Sequence, residues 1–581
     1  MSTASTRRTN LYALDIETEC AVQGCPGYGG HEKCEHALSP QTGRITQIAV
    51  TDGLFDEQVF DAPVEFARWV THNPDVRYTA HNGKFDFKWL AYNGIDLVDK
   101  WAHDSSLLAF VSTKKIDDGW LEEYEEQRRV HNSLRSGMKH RAARHHSLKT
   151  LAPYFLGVKP FWEPEGGTND REYVLTDARY TLQLTEYFLA NLPEKALDFY
   201  NTNFMPWVKM LLTMEQTGIR LDLPELNKRW TETERKVDTL KAEIADQWKE
   251  HFEAYRELCE AEVHAKYKDM TETALARLKD GKDLLTRQAN TKARYREMEQ
   301  KALAKIEPLN LDSPKQLLWL VWERLGLVAE NWLGEESTDK ETLTRLAGEQ
   351  PELSKLLEYR KLKKLTSSFF PDYMEQQVNG RIHTTFNPTT ARTGRLTSSG
   401  PNLQQVPGQL HDIFGADPGH MCITRDLSAI EPTVLAYYSE DEVLCNLLIT
   451  GGDFHGTTAR AAFGLECDSK EVKKLYPELR QIAKTIGLAV LYGAGKGQVQ
   501  QVMERNGQEC SESKAAGIVN KIREQYKGVW QFKQQLDREL ESGATIYNLL
   551  GRPYSIPVKQ DVYMKGLNTL IQGSASDYML A

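Results

Sequence analysis

Apolar and polar positions divide the chain into three stretches of different rhythm. In the first, short apolar runs end in acids. LYALDIETE at 11–19 reads as a brief strand closing on Asp15 and Glu17, and RITQIAV at 44–50 reads as the next strand. HDSSLLAF at 103–110 and HSLKTLAPYFLG at 146–157 space their apolar residues as connecting helices do, for packing rather than chemistry. The second stretch opens with WVKMLLTMEQTGIRLD at 207–222, a helix ending near Gly218. It continues through 228–306, highly charged and without proline, which predicts a long helical hairpin. The basic end of that hairpin (Lys282, Arg287, Lys292, Arg294, Arg296) reads as a solvated helix face ahead of a nucleic-acid contact. In the third stretch, Met421 to Thr424 reads as a strand with Asp426 at its end. PELRQIAKTIGLAVLYGAG at 477–495 reads as a helix that Pro477 starts and Gly493 and Gly495 end.

That last helix carries a stripe. Arg480, Lys484, Leu488 and Tyr492 recur every four residues. A step of four drifts only about 40°, so the four share one side, about 6 Å apart. Two cations followed by two bulky apolar groups fit a ligand with an anionic end and a flat apolar end, as a nucleoside triphosphate has. A carboxylate at 426 is placed to hold a divalent metal against such a triphosphate.

The acids of the first stretch form a second set. Alternation in a strand puts Asp15 and Glu17 on one face, where two like charges are unfavourable without a cation between them. RYTAHNGKFDFKWL adds Asp86, with Asn82 four residues before it. REYVLTDARYTLQL adds Asp177, with Tyr173 one helical turn away. Four carboxylates suit two Mg²⁺ or Mn²⁺ ions, which activate water in phosphodiester hydrolysis, and Tyr173 is placed to orient that water. One acid alone would read as surface charge; the ordered set DxE, Nx3FD and Yx3D is the signal.

Totals change the picture little. A chain of 581 residues implies about three or four domains. The net charge of −10 excludes a bulk polycation, so nucleic-acid binding must come from local surfaces. Neither a signal-peptide core nor an apolar run long enough for a membrane is evident, and eight cysteines in this length make no disulfide scaffold, so a reducing cytoplasm is expected. Cys20, Cys25, His31, Cys34 and His36 crowd a Gly-rich loop at 20–36. They suit a structural Zn²⁺ site, or equally a plain exposed loop, since their spacing matches no standard finger.

Taken together, these segments resemble family A DNA polymerases through nearly the whole chain and in the family's order. RDLSAIE at 425–431 resembles their motif A (usually DYSQIE), and R-x3-K-x7-YG resembles motif B. TGRLTSSGPNLQ resembles the loop that holds primer–template, which implies DNA contacts for Arg392, Arg395, Asn402 and Gln404. GLNTLIQGSASDYML resembles the N-x3-QG motif, which implies a minor-groove role for Asn568 and Gln572; Arg552, in the turn-rich return YNLLGRPYSIP, joins this DNA-binding group. By the same resemblance Glu431 is the residue that blocks a ribose 2′-OH, and His455 stands near the triphosphate. The ordered acids and Tyr173 resemble the proofreading 3′–5′ exonuclease of these polymerases. Leu427, Ala429, Thr433, Leu488 and Met564 depart from the family's usual residues; Leu488 changes the sugar-facing wall.

The resemblance implies a multidomain α/β and α+β chain: an RNase H-like exonuclease domain at 1–200, then a right-hand polymerase. That hand comprises a helical thumb with a long hairpin at 201–385, palm at 386–440, fingers at 441–546 and more palm at 547–581. The family's next element, His-Asp-Glu with the second palm carboxylate, lies beyond Ala581, so the palm is expected to be incomplete and synthesis by residues 1–581 alone poor. Expected partners are primer–template DNA, dNTPs and single-stranded 3′ ends, with room for a processivity factor; a monomer is expected. The alternatives are an exonuclease with a synthesis-deficient, DNA-holding remnant, and a non-catalytic DNA-binding accessory protein.

Overall fold

The computed structural model describes residues 10–23, 25, 39–134, 146–160, 171–278, 283–330, 335–554 and 562–581. The chain forms two compact units. One comprises Met1–Gly218, His383–Gln405 and Ile423–Ala581; the other comprises Ile219–Ile382 and Val406–Cys422.

The first unit holds a five-stranded sheet of β1 (Leu11–Cys20), β2 (Gly43–Thr51), β3 (Glu57–Phe60), β4 (Arg77–Ala80) and β5 (Trp101–Asp104), in the order β3-β2-β1-β4-β5. β1 is central, antiparallel to β2 and parallel to β4. Its alternation divides its side chains cleanly. Leu14 and Ile16 enter one core with Ile48, Val50 and Phe87. Ala13 faces the other way and packs with Ala49, Val174, Ala178 and Leu182, so the Arg171–Asn191 helix lies over that face. Asp15 and Glu17 share this second face, beneath the helix. The β1–β2 register shifts between Glu17 and Thr18, an irregularity that bends the strand beside the acids.

The same unit contains a helical core built from Phe454–Phe463, Pro477–Tyr492, Glu512–Gln525, Lys527–Glu541 and Val562–Leu580. Between the two cores sits a buried knot. Arg552 donates from Nε and Nη2 to Asp577 (2.8 and 2.7 Å), Asn548 Nδ2 donates to the same carboxylate (2.5 Å), and the guanidinium faces the rings of Phe110, Phe199 and Phe204. Gly394 has φ +76, and a Cβ there would lie 3.0 Å from that guanidinium, so both conformation and space call for glycine.

In the second unit, Ile219–Leu221 runs antiparallel between Arg381–Ile382 and Phe414–Gly415. Arg229 clamps Asp412 through two hydrogen bonds (2.8 and 2.7 Å). The charged stretch forms Leu223–Gln247, Lys249–Ala276 and Leu284–Leu303; neither of the last two helices buries a residue.

The strand expected at Met421 to Thr424 does not form. Met421 and Ile423 are 81% and 84% exposed, and the segment is irregular through Asp426. Its apolar alternation suits a strand, but a strand also requires a neighbour, and among the described residues none pairs with it.

Candidate active site

The sequence-predicted acids converge. Asp15 and Glu17 from β1 and Asp177 from the Arg171–Asn191 helix bring carboxylate oxygens within 4.8 Å of one another. Asp86 arrives from the first turn of the Lys84–Tyr92 helix and accepts the Ile16 N–H (3.2 Å), which fixes it beside β1. Burial first, then the charges of Asp177, Asp86 and Glu17, push the Asp15 carboxyl well above the usual carboxylate range, and Lys149 opposes them. Asp86 is raised as well, by burial first and then Asp104 and Glu17, against the pull of the Ile16 amide. Hard oxygen donors, crowded and mutually repelling, fit a divalent ion such as Mg²⁺ or Mn²⁺. Tyr173 lies one turn before Asp177 on the same helix.

One residue of the cluster escaped the sequence reading. The Leu148–Leu156 helix does pack as its apolar spacing predicts, burying Leu148, Leu151 and Ala152. Yet Lys149 extends from it to Asp177 Oδ1 (2.6 Å), and its ammonium lies 4.3 Å from the centre of the Tyr173 ring. His81 anchors the approach to this helix. Burial holds its pKa down, so the neutral ring donates from Nε2 to the His146 carbonyl (2.9 Å) and accepts at Nδ1 from Ser105 (2.8 Å). A lone lysine among apolar residues gives no sign in the sequence that it will reach an acid 28 positions on.

The stripe also forms as predicted. Pro477–Tyr492 is a helix with Gly493 in the left-handed conformation at its end, and Ile482, Ile486, Val490 and Leu491 bury its back. Lys484 is exposed, while Leu488 and Tyr492 are half-buried. Arg480 is already engaged: its Nε and Nη2 donate to Asp453 (2.7 and 2.9 Å). Burial pushes the Asp453 carboxyl up, but hydrogen bonds from Arg480 and the Gly456 amide prevail and hold it low. His455 stands beside this pair with Nδ1 buried and without a hydrogen-bond partner; burial, then Arg480, keep its imidazole below the usual pKa. Farther along, Glu431 receives Tyr492 OH (3.1 Å) and Arg395 Nη2 (2.5 Å), which links the polar loop to the stripe. Asp426 is exposed.

The residues expected to touch DNA divide. Arg392, Arg395, Asn402 and Gln404 are exposed, and Asn568 and Gln572 are half-buried. Arg552 is different: at 1% exposure and paired with Asp577, it lies inside the protein rather than at a DNA-facing surface. The sequence shows an arginine in a polar turn, not its partner 25 residues later. In the Cys/His loop, Cys20 ends β1 and is buried, Cys25 is half-buried, and His31, Cys34 and His36 lie outside the described residues. Among the described residues no helix is long and apolar enough to cross a membrane.

Comparison with known proteins identifies the family. The model of DNA polymerase family A matches residues 282–581, just over half of the chain. DNA polymerase I of Chloroflexus aurantiacus is 28% identical over 547 residues, covering 87% of this chain and 48% of that protein. The DNA polymerase of Escherichia phage T5 is 32% identical over 308 residues, covering 47% of this chain and 36% of its own. The chain thus spans half or less of the curated relatives it matches here. Among solved structures, the POL domain of Pol1 from M. smegmatis, in complex with DNA primer-template and dNTP, shares the fold with a TM-score of 0.63 at 21% identity, covering 98% of this chain and 83% of that one. The chain belongs to DNA polymerase family A.

Proposed function

We propose that the protein is a DNA-directed DNA polymerase that carries its own 3′–5′ exonuclease and acts in DNA replication. The observation that carries the exonuclease half is the meeting of Asp15, Glu17 and Asp177 on one sheet face, in a chain of this family. In this reading, residues 1–200 are an RNase H-like exonuclease domain whose four acids hold two divalent ions. Such ions, when bound, supply the charge that activates a water and stabilises the leaving oxygen. Tyr173 orients the water, and Asp86, fixed by the Ile16 amide, completes the ligand set.

In the polymerase half, Asp426 offers a metal-holding carboxylate. Arg480 and Lys484 grip the triphosphate with His455 beside them. Leu488 and Tyr492 face the base and sugar, and Glu431 stands against the 2′ position. Arg392, Arg395, Asn402, Gln404, Asn568 and Gln572 hold primer–template. The primer 3′-OH attacks the α-phosphate, a new P–O bond forms, and pyrophosphate leaves. The bound DNA primer-template and dNTP named for the M. smegmatis structure support these partners.

The test is Mg²⁺-dependent shortening of single-stranded DNA from its 3′ end. Asp15→Ala should lower that rate by about 10³-fold or more while the protein stays folded. Wild-type rates in this variant would remove the assignment. Primer extension in the same Asp15→Ala background tests the other half without degradation hiding synthesis. A second reading, an exonuclease whose polymerase half only holds DNA, is favoured by the exposure of Asp426 on an irregular segment; bound primer–template without extension would select it.

A further inference from the structure

We propose that Lys149 is the resident counter-ion of the acid cluster: its ammonium occupies Asp177 until a divalent ion takes its place, and so sets the metal affinity of the site. The proposal rests on the exonuclease reading for its purpose, but not for its geometry.

The contact is close and directed. Lys149 Nζ stands 2.6 Å from Asp177 Oδ1, and Asp177 is one of the three acids whose oxygens converge. The lysine is delivered rather than loosely draped. Its helix is seated by Leu148, Leu151 and Ala152, and the residue before that helix's cap, His146, is held by the His81 ring. A half-buried cation against Asp177 relieves part of the cluster's repulsion, as its opposing effect on Asp15 indicates. A divalent ion that takes Asp177 competes with this ammonium for the same carboxylate charge, and displaces it where the ion uses Oδ1, the oxygen the lysine holds. The ammonium already lies 4.3 Å from the centre of the Tyr173 ring, a contact it can keep when an ion takes its place at Asp177. Lys149 is therefore a positioning residue that acts through Asp177.

Two neutral variants separate this role from simple packing. Lys149→Met keeps the stem; Lys149→Gln also keeps a hydrogen-bond donor toward Asp177. Mn²⁺ binding is titrated calorimetrically in an Asp426→Ala background, which removes the polymerase-side carboxylate. Removing an opposite charge at this distance should tighten Mn²⁺ binding by about tenfold in both variants. Lys149→Arg should stay within about twofold of the parent, because the charge remains. Adding Asp177→Asn should erase the difference between lysine and methionine. A lysine that merely packs its helix would leave the midpoint unchanged or weaken it on removal, and either result in both neutral variants overturns the proposal. Should the titration behave as expected while the wild-type protein fails to shorten single-stranded DNA, the counter-ion assignment stands and the exonuclease reading falls.

Discussion

The acid cluster and the Arg480 stripe solve opposite electrostatic problems in one compact unit. The cluster gathers like charges on one face of a sheet, and Lys149 answers them at Asp177. The stripe and the polar loop gather cations, and two of them have already found a carboxylate of their own: Arg480 with Asp453, Arg395 with Glu431. The difference teaches where each site keeps its binding free energy. Acids crowded together gain by taking up cations, so their repulsion is released on binding. Paired arginines gain only the difference between a phosphate and the carboxylate they leave, and in return they are pre-positioned.

The most severe way to probe this contrast is through the pair that no ligand can exchange. Arg552 and Asp577 are 1% exposed, so they should act as structure alone. Arg552→Ala should cost about 3–5 kcal/mol, because it strands a buried carboxylate. Denaturant unfolding measures it, and Arg552→Met combined with Asp577→Leu should recover most of the loss. If Arg552→Ala weakens primer–template binding while stability holds, the arginine belongs with the DNA-facing cations instead.

Next in size is the exchangeable pair. Arg480→Ala should raise the KM for dNTP about 30-fold, equivalent to about 2 kcal/mol for charge-assisted hydrogen bonds to phosphate. Asp453→Ala should raise it only about threefold, because Arg480 remains; the variant should also lose about 1 kcal/mol of stability with the cap of the Phe454–Phe463 helix. Equal KM effects would mean that the ion pair itself, rather than the arginine, organises the site.

The cluster's repulsion predicts a pH signature. The Asp15 pKa is raised on folding, so the stability from its protonation is full below the unfolded value, near 4. That stability is lost as pH rises through the raised folded value. Asp15→Asn removes the charge. In metal-free protein its stability should match wild type at low pH and exceed it by about 1–2 kcal/mol at neutral pH. Thermal melts with a chelator should show this, and excess Mg²⁺ should abolish the gain. A variant less stable than wild type at every pH would mean that the acids are held by contacts other than their mutual charge.

How much of this was legible in the sequence follows the same division. Asp15 with Glu17, and Tyr173 with Asp177, are local pairs whose periodicity fixes their common face before any fold is known. The Arg480 stripe is legible for the same reason. What periodicity cannot state is a partner. Lys149 and Asp177 are 28 positions apart, Arg552 and Asp577 25, and Asp453 and Arg480 27, and each pairing depends on how helices pack. Met421 to Thr424 shows the limit from the other side: alternation predicted a strand, but the segment stands exposed, with no ladder beside it among the described residues.

The smallest effect tests whether such pairs matter once one side of them is removed. Glu431 is held twice, by Tyr492 OH at 3.1 Å and by Arg395 at 2.5 Å. Burial, then Glu431, raise the Tyr492 pKa, so the phenol stays protonated and donates. Tyr492→Phe deletes that donor and keeps the ring, so dNTP turnover should change less than about twofold. Glu431 would then be fixed from the Arg395 side only and could swing away from the sugar. Losing one such hydrogen bond is worth about 1 kcal/mol, so preference for dNTP over rNTP should fall about fivefold. Steady-state incorporation of a matched pair, one deoxy and one ribo, measures the ratio. An unchanged ratio would mean that Arg395 alone positions Glu431, and Arg395→Ala should then lower both discrimination and primer–template affinity. A drop in both variants would show that loop and stripe hold the glutamate jointly, in contrast to the acid cluster, where Lys149 meets the acids through Asp177.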